Sequence, residues 1–410
     1  MDTLKICVIA PEFLPVLGGV GSYLIELVRH LPKEIEVHVV TPMREGIGQN
    51  KARTADYDFS EYFGPNVHPH YVCKATDTFM FNGYFQFACL KYVPKLVKEE
   101  NIDIVHFGHH MSGLLLEFRG LNAPSITTVH TTIQGQLEGT RTSGMRLSEL
   151  GFSEKAVYLT YPFLRAAEAI YFARARYYIT VSEWMKRELL RRHLKMKNPH
   201  VSVIHNSVDT QKFSPRLEGQ SVKDNLVLFT GRIIAGKGVG HLVEAMPYVL
   251  KEYPDAFFAF IGAGDFAPYR KRLKNLGVTE ENFQFLGYLK HSDDLVKYYR
   301  SCSVYAAPTT LSENFPIRIL EAMACGAPSV ASNVCAIPEA INDGVNGILV
   351  SPGSVRELTD AICSLLGDSN LRKRIGERAR ETILRKFDCT ANTLRTVELY
   401  RRIIETYSTG

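Results

Sequence analysis

At 410 residues the chain is longer than one ordinary hydrophobic core organises, so two domains are expected. Its 45% hydrophobic and 22% charged content excludes disordered and fibrous classes. The net charge of +5 is too mild to argue for nucleic acid, and no nucleic-acid partner is expected.

Eight cysteines are scattered without a Cys-x-x-Cys pair, the pattern of a reduced intracellular protein. No signal peptide is expected, because the apolar run Leu4 to Ala10 is only strand length before Pro11-Glu12. No run reaches the roughly 18 apolar residues of a membrane span, so a soluble or peripheral cytoplasmic protein is expected.

The predicted elements alternate from the start. Lys5 to Ala10 reads as a strand, followed by a loop carrying Gly18-Gly19-Val20-Gly21 and a helix over Ser22 to Leu31. Strands follow at Val37 to Thr41, Ile104 to Phe107, Ser125 to Val129, Tyr177 to Val181 and Val201 to Ile204. Helices fall between them at Phe87 to Glu100, Met111 to Phe118, Lys155 to Ala173 and Glu183 to Leu194. Continuous apolar strands alternating with helices imply a parallel sheet covered on both faces. The polar stretch Asn206 to Asn225, with Pro215 and Gly219, reads as a linker.

A second alternation then begins. Strands are expected at Leu226 to Thr230, Phe257 to Ile261, Phe283 to Leu286, Val304 to Ala307 and Ser329 to Ala331. Helices are expected at Gly240 to Glu252, Ala267 to Leu276, Asp293 to Ser301, Ile317 to Cys325, Val355 to Gly367, Leu371 to Arg385 and Thr390 to Thr406. The expected organisation is α/β: residues 1–207 a first Rossmann-like domain, 208–225 a linker, and 226–389 a second Rossmann-like domain. Residues 390–410 form a closing helix that could pack back on the first domain. The two doubly wound domains would face a central cleft, with ligands at the carboxyl ends of the strands.

Chemistry concentrates in Ser312-Glu313-Asn314-Phe315-Pro316-Ile317-Arg318-Ile319-Leu320-Glu321, which leads out of a buried strand into a helix closed by Gly326. Asn314 is expected to cap that helix and Pro316 to occupy its first turn. A helix N-terminus in such a loop suits an anion. Gly231-Arg232-x4-Lys237-Gly238 also joins a strand to a helix, and its two cations can clamp a diphosphate. Gly262-Ala263-Gly264-Asp265-Phe266-Ala267 fits a dinucleotide fingerprint, yet no acidic residue ends the next strand, which runs into Gly287-Tyr288-Leu289. The glycines at Gly18-Gly19 lack their third partner as well. Hydride transfer therefore fits poorly, and these glycines, Gly264 and Gly19 among them, more readily admit backbone close to a nucleotide or phosphate.

Glu313-Asn-Phe-Pro-Ile-Arg-Ile-Leu-Glu321-Ala-Met-Ala-Cys-Gly-Ala-Pro, Val330-Ala-Ser and Pro338-Glu339 together resemble the donor-site signature of retaining glycosyltransferases of family 4. Gly18-Gly19, Asn206-Ser-Val-Asp209 and Gly231-Arg232-x4-Lys237-Gly238 match too, so the likeness spans nearly the whole chain. The resemblance implies a GT-B fold, with residues 1–207 the acceptor-side domain and 226–389 the nucleotide-sugar donor domain, and transfer of a hexosyl unit from a UDP- or GDP-sugar to an acceptor hydroxyl, with retention. It implies that Arg232 and Lys237 hold the diphosphate, that Glu313 contacts the transferred sugar and that Glu321 hydrogen-bonds the ribose. His130, after the strand ending at Val129, matches the family histidine that touches the donor sugar. Leu289, Asn314, Phe315, Pro316 and Ile317 join Gly19, Gly264 and Glu321 as expected substrate contacts, the Phe315 loop through backbone N–H groups. The catalytic set is His130, Arg232, Lys237 and Glu313. No cofactor is expected, and no metal, since the family needs none and no acidic partner follows His106, His109 and His110 in sequence.

Two departures stand out: Pro316 replaces a common glycine and offers no backbone donor, and Cys335-Ala336 replaces a Gly-Gly pair. Residues 155–197 hold ten Lys or Arg against three Glu, either a solvated helix face or attraction to an anionic membrane and a lipid-linked acceptor. Phe79 to Tyr92 is rich in aromatics and reads either as an acceptor-side flap or as core. Rival readings are a non-catalytic nucleotide-sugar binding protein and a sugar-nucleotide epimerase or hydrolase of the same fold.

Overall fold

The computed structural model describes residues 3–15, 18–45, 53–75, 83–142, 152–193, 200–216, 225–289 and 292–409. Phe79, Phe81, Lys195 and Lys197 lie outside the described residues, as do residues 217–224 of the expected linker. The chain divides into two compact units. The first gathers Met1–Leu137, Leu150–Asn206 and Cys389–Gly410, and Ser207–Asp388 make the body of the second.

In the first unit β1 (Lys5–Ile9), β2 (Glu36–Arg44), β3 (Val67–Ala75), β4 (Ile104–Phe107), β5 (Ser125–Val129), β6 (Tyr177–Thr180) and β7 (His200–Val203) form a parallel sheet. Their spatial order is β3-β2-β1-β4-β5-β6-β7. The connecting helices are α1 (Gly19–Arg29), α2 (Gly83–Glu99), α3 (Leu114–Arg119), α4 (Ile133–Thr142), α5 (Phe152–Arg174) and α6 (Glu183–Arg192). Strand side chains alternate between the faces. Ile6, Val8, Val37 and Val39 pack against α1, whereas Cys7, Ile9, Val40 and Phe107 pack against α2.

The second unit holds β8 (Leu226–Thr230), α7 (Val239–Glu252), β9 (Phe257–Ile261), α8 (Ala267–Asn275), β10 (Phe283–Gly287), α9 (Ser292–Ser301) and β11 (Val304–Ala307). It continues through α10 (Ile317–Ala324), β12 (Ser329–Ser332), α11 (Ile337–Ala340), β13 (Ile348–Val350), α12 (Val355–Gly367) and α13 (Ser369–Lys386). Its parallel sheet has the order β10-β9-β8-β11-β12-β13. In both sheets the order reverses direction beside the first strand, the switch that opens a crevice at the carboxyl edge.

The last helix, α14 (Cys389–Ser408), packs in the core of the first unit through Val397, Leu399, Tyr400 and Ile403. Tyr400 Oη lies 2.5 Å from His106 Nδ1, and His106 Nε2 lies 2.7 Å from Thr128 Oγ1. One buried imidazole thus joins β4, β5 and α14. Residues after Asn206 are not a free tether, because Arg380 of α13 donates to the carbonyls of Thr210 and Phe213, at 2.9 and 2.8 Å.

Four elements escape the sequence pattern, among them the short α11, a single turn over Ile337–Ala340. β3 is half-exposed at the sheet edge and carries His68, His70 and Lys74, so it lacks an apolar run. α4 is polar, and β13 is only Ile348–Val350.

Candidate active site

The carboxyl edge of the second sheet is built by two loops that lock together. After β8 the chain makes a tight turn at Ala235–Lys237 and enters α7 through Gly238, whose φ is +80°. A Cβ there would stand 1.9 Å from the Pro308 carbonyl oxygen, so only glycine lets the loop after β11 come this close. Across the same junction Thr310 N and Thr309 Oγ1 donate to the Gly236 carbonyl at 2.9 and 3.1 Å. This lock brings Lys237 and Glu313, 76 residues apart in sequence, into a direct Nζ to Oε1 ion pair. Thr309 Oγ1 is also within 3.2 Å of Glu313 Oε1, and the Glu313 carbonyl accepts from Ala336 N at 3.1 Å.

Glu321 is nearly buried within α10. Its Oε2 accepts from Tyr299 Oη at 2.9 Å and from Arg318 Nη1 at 2.8 Å. Burial, reinforced by the Glu321 charge, pushes the Tyr299 phenol well up, so it stays a donor. Tyr299 and Thr309 hold the two carboxylates, and neither is singled out by the sequence motifs. The available signal was position: Thr309 follows the Pro308 strand end, and Tyr299 falls in the last turn of the preceding helix.

The capping expectation is corrected. Pro316 takes the N-cap position in extended backbone, no side chain caps the helix, and Asn314 stands two residues too early. Ile317 is then the first helical residue, where N–H groups have no partner inside the helix. Phe315 turns its ring inward, 5.2 Å from Phe387. Arg232 is exposed at the same sheet edge just past β8, and Leu289 is half-buried just past β10. Gly264 has φ +141°, and a Cβ on it would lie 2.7 Å from the Ile233 carbonyl oxygen. Its glycine is therefore required by the pairing of the loops after β8 and β9, whatever ligand comes near.

In the first unit His130 directly follows β5 as expected. Its ring meets Tyr23 of α1 edge-on at 4.8 Å, and its Nε2 is buried without a hydrogen-bond partner. Burial, with smaller contributions from His106 and His110, pushes its pKa down to about 3, so it is neutral at working pH. Gly19 begins α1, and a Cβ there would meet nothing within 4 Å, leaving open space beside the helix N-terminus.

Glu168 of α5 supplies an acidic partner for the neighbouring histidines that the sequence did not suggest. Its Oε1 is 2.9 Å from His110 Nε2 and accepts from Ile133 N at 2.7 Å, while its Oε2 is 3.4 Å from His193 Nε2. Burial opposes its ionisation, but these donors prevail and hold the carboxyl down at about 2. The buried pair fixes the start of α4, three residues beyond His130.

Elsewhere the ambiguous stretches resolve by residue. Phe85 is core, whereas Tyr84 and Phe87 are exposed. In α6, Arg191 and Arg192 are paired with Glu188 at 2.9 and 2.7 Å, and Trp184 packs on a core cluster. Among the described residues no helix is long and apolar enough to cross a membrane.

Residues 17–212 match the family model described as Glycosyltransferase Family 4, and residues 211–382 match that of Glycosyl transferases group 1. An uncharacterised glycosyltransferase of Methanocaldococcus jannaschii is 27% identical over 377 residues, 90% of each chain. The phosphatidyl-myo-inositol mannosyltransferase of Mycobacterium leprae is 33% identical over 200 residues, 48% of this chain and 52% of that one. Among solved structures, Anabaena HepE in complex with UDP aligns with a TM-score of 0.73 at 18% identity, covering 97% of this chain and 100% of that one. The sucrose-phosphate synthase of Thermosynechococcus elongatus aligns at 0.75 with 20% identity, covering 98% and 100%. With two adjoining glycosyltransferase matches laid over two parallel α/β units, the chain is a glycosyltransferase of the GT-B fold.

Proposed function

We propose that this glycosyltransferase moves a hexosyl unit from a UDP- or GDP-sugar to an acceptor hydroxyl with retention of configuration. The observation that carries this reading is the Lys237–Glu313 pair, set by two locked loops at the carboxyl edge beside the start of α10. A cation and a carboxylate side by side suit a ligand with a charged diphosphate at one end and hydroxyls at the other. Lys237 and the exposed Arg232 take the diphosphate and stabilise the charge that grows on it as it leaves. Glu313 accepts from hydroxyls of the transferred sugar. Glu321, held by Tyr299 and Arg318, keeps lone pairs for the ribose hydroxyls. Neutral His130 serves as a hydrogen-bonding group toward the sugar.

In the step itself the acceptor oxygen bonds the anomeric carbon on the face the diphosphate leaves, the bond to the diphosphate oxygen breaks, and a phosphate oxygen takes the acceptor proton. No cofactor enters this reaction. HepE was solved with UDP and with UDP-glucose, which supports a nucleotide-sugar donor here. For the acceptor we favour a lipid-linked or cell-surface glycan precursor, met at the cytoplasmic membrane face. Exposed Tyr84 and Phe87 support that choice, since they line a groove of about 510 Å³ with Lys91 and Lys95.

The test is incubation with a panel of UDP-, GDP- and ADP-sugars, following nucleotide release and the glycosylated product by mass. Arg232→Ala is expected to lower kcat/KM at least about a hundredfold, the scale of one lost electrostatic contact to a transition state. Unimpaired turnover in that variant would remove the diphosphate assignment. Nucleotide binding without turnover by the unaltered protein would instead favour a binding module.

A further inference from the structure

The opposite, amino edge of the first sheet carries a second cluster of chemistry-bearing side chains. β2 and β3 run in register with His38 beside His68 and Val40 beside His70. Alternation places Glu36 and His38 on the face that α2 covers, and Glu100 follows directly on the last turn of that helix. One carboxylate oxygen of Glu36 lies 3.4 Å from His38 Nε2 and 3.6 Å from His68 Nε2. Glu36, His38 and Glu100 each direct a ligand atom to a common point, all within 4.8 Å of one another.

His38 is 3% exposed, and its Nε2 is buried with no hydrogen-bond partner. Its other nitrogen is engaged, at 3.0 Å from His70 Nε2, while His70 Nδ1 is 2.8 Å from Tyr92 Oη. If Nδ1 donates to His70, then Nε2 presents a bare lone pair to a carboxylate oxygen, two acceptors facing each other. A cation between them removes that conflict.

We propose that Glu36, His38, His68 and Glu100 bind a divalent transition-metal ion of the Zn²⁺ class, apart from the sugar-transfer site. Two imidazoles and two carboxylates are a donor set that Zn²⁺ accepts. Bonds of about 2.0–2.1 Å in a tetrahedron put neighbouring ligand atoms about 3.3–3.4 Å apart, near the two nitrogen-to-oxygen separations observed. Two carboxylates neutralise a divalent ion, and the carbonyl end of α2 adds a favourable partial charge. The outer contacts match those of a metal site: Lys5 Nζ holds the second Glu36 oxygen at 3.0 Å, and His70 orients the ligating His38 ring. The ion would pin the edge strand β3 and the end of α2 to β2.

The test uses the full chain stripped of metal with a chelator. Titration calorimetry with Zn²⁺ is expected to show saturable one-to-one binding. Co²⁺ in its place is expected to give the strong visible absorption of a tetrahedral ion. His68→Ala and Glu100→Gln, both at partly exposed positions that spare the core, should abolish the Co²⁺ bands. His70→Ala should weaken Zn²⁺ binding by about 10–100-fold, as for an outer-contact loss. The absence of stoichiometric binding would overturn the proposal. So would binding that survives both His68→Ala and Glu100→Gln, since that would put the ion elsewhere, another candidate group among the described residues being Glu26, His30 and Cys389.

Discussion

At the scale of single residues, the carboxylates and cations of the proposed transfer site stand out in the sequence because charged side chains between a buried strand and a helix have few structural reasons to be there. The residues that hold them were not, because a threonine or a tyrosine reveals its hydrogen bond only when the loops close. Thr309 illustrates this: it is buried and bridges Gly236 and Glu313. Thr309→Val keeps the shape and removes the hydroxyl, while Thr310 N still satisfies the Gly236 carbonyl. The expected outcome is a kcat about tenfold lower with KM for the donor little changed, equivalent to about 1.4 kcal/mol of transition-state stabilisation. Equal turnover in the two proteins would show that Glu313 needs no such support. Cys335 is a different case. It replaces a glycine of the family pattern and sits at φ +50°, where a side chain crowds the backbone. Cys335→Gly is expected to raise stability by about 0.5–1 kcal/mol, read as a higher urea midpoint. A lower midpoint would mean that the thiol's own contacts outweigh the strain.

At the scale of elements, the central strands were readable because burial on both faces makes them continuous apolar runs, as in Val304 to Ala307 and Leu226 to Thr230. β3 was not, since an edge strand mixes His68, His70 and Lys74 with apolar residues and so resembles a loop. The docking of α14 was likewise only half visible. Its apolar stripe signals a buried face, but the polar group that fixes its seat, His106, lies 294 residues away from Tyr400. Tyr400→Phe leaves one nitrogen of a fully buried imidazole without a partner. Such an orphan costs about 1–3 kcal/mol, so the urea midpoint is expected to fall while turnover in the folded protein persists. An unchanged midpoint would mean that packing of Val397 and Ile403 alone seats the helix.

At the scale of the whole molecule, the histidines most perturbed by burial lie in the first unit, which makes acid a selective stress. Burial pushes His106 and His130 down to about 3, and His109 well below its ordinary value. In the unfolded chain a histidine takes up a proton below about pH 6.5, whereas these folded ones refuse it until far lower. The unfolded state therefore binds more protons across that window, and stability is lost as pH falls from about 6.5 toward 3. Each such histidine contributes a slope of up to about 1.4 kcal/mol per pH unit. Glu168 extends the loss further down: held at about 2, it stays ionised where an unfolded carboxyl protonates below about 4.5. The single tryptophan of the chain, Trp184, packs in the first unit, so its fluorescence reports that unit while helical dichroism reports both. Between pH 7 and pH 5 the fluorescence midpoint in urea is expected to move down and to separate from the dichroism curve. His106→Gln, which has no ring proton to refuse, should reduce the movement. Coincident curves that do not shift between the two pH values would show that these imidazoles are hydrated enough to protonate within the folded unit.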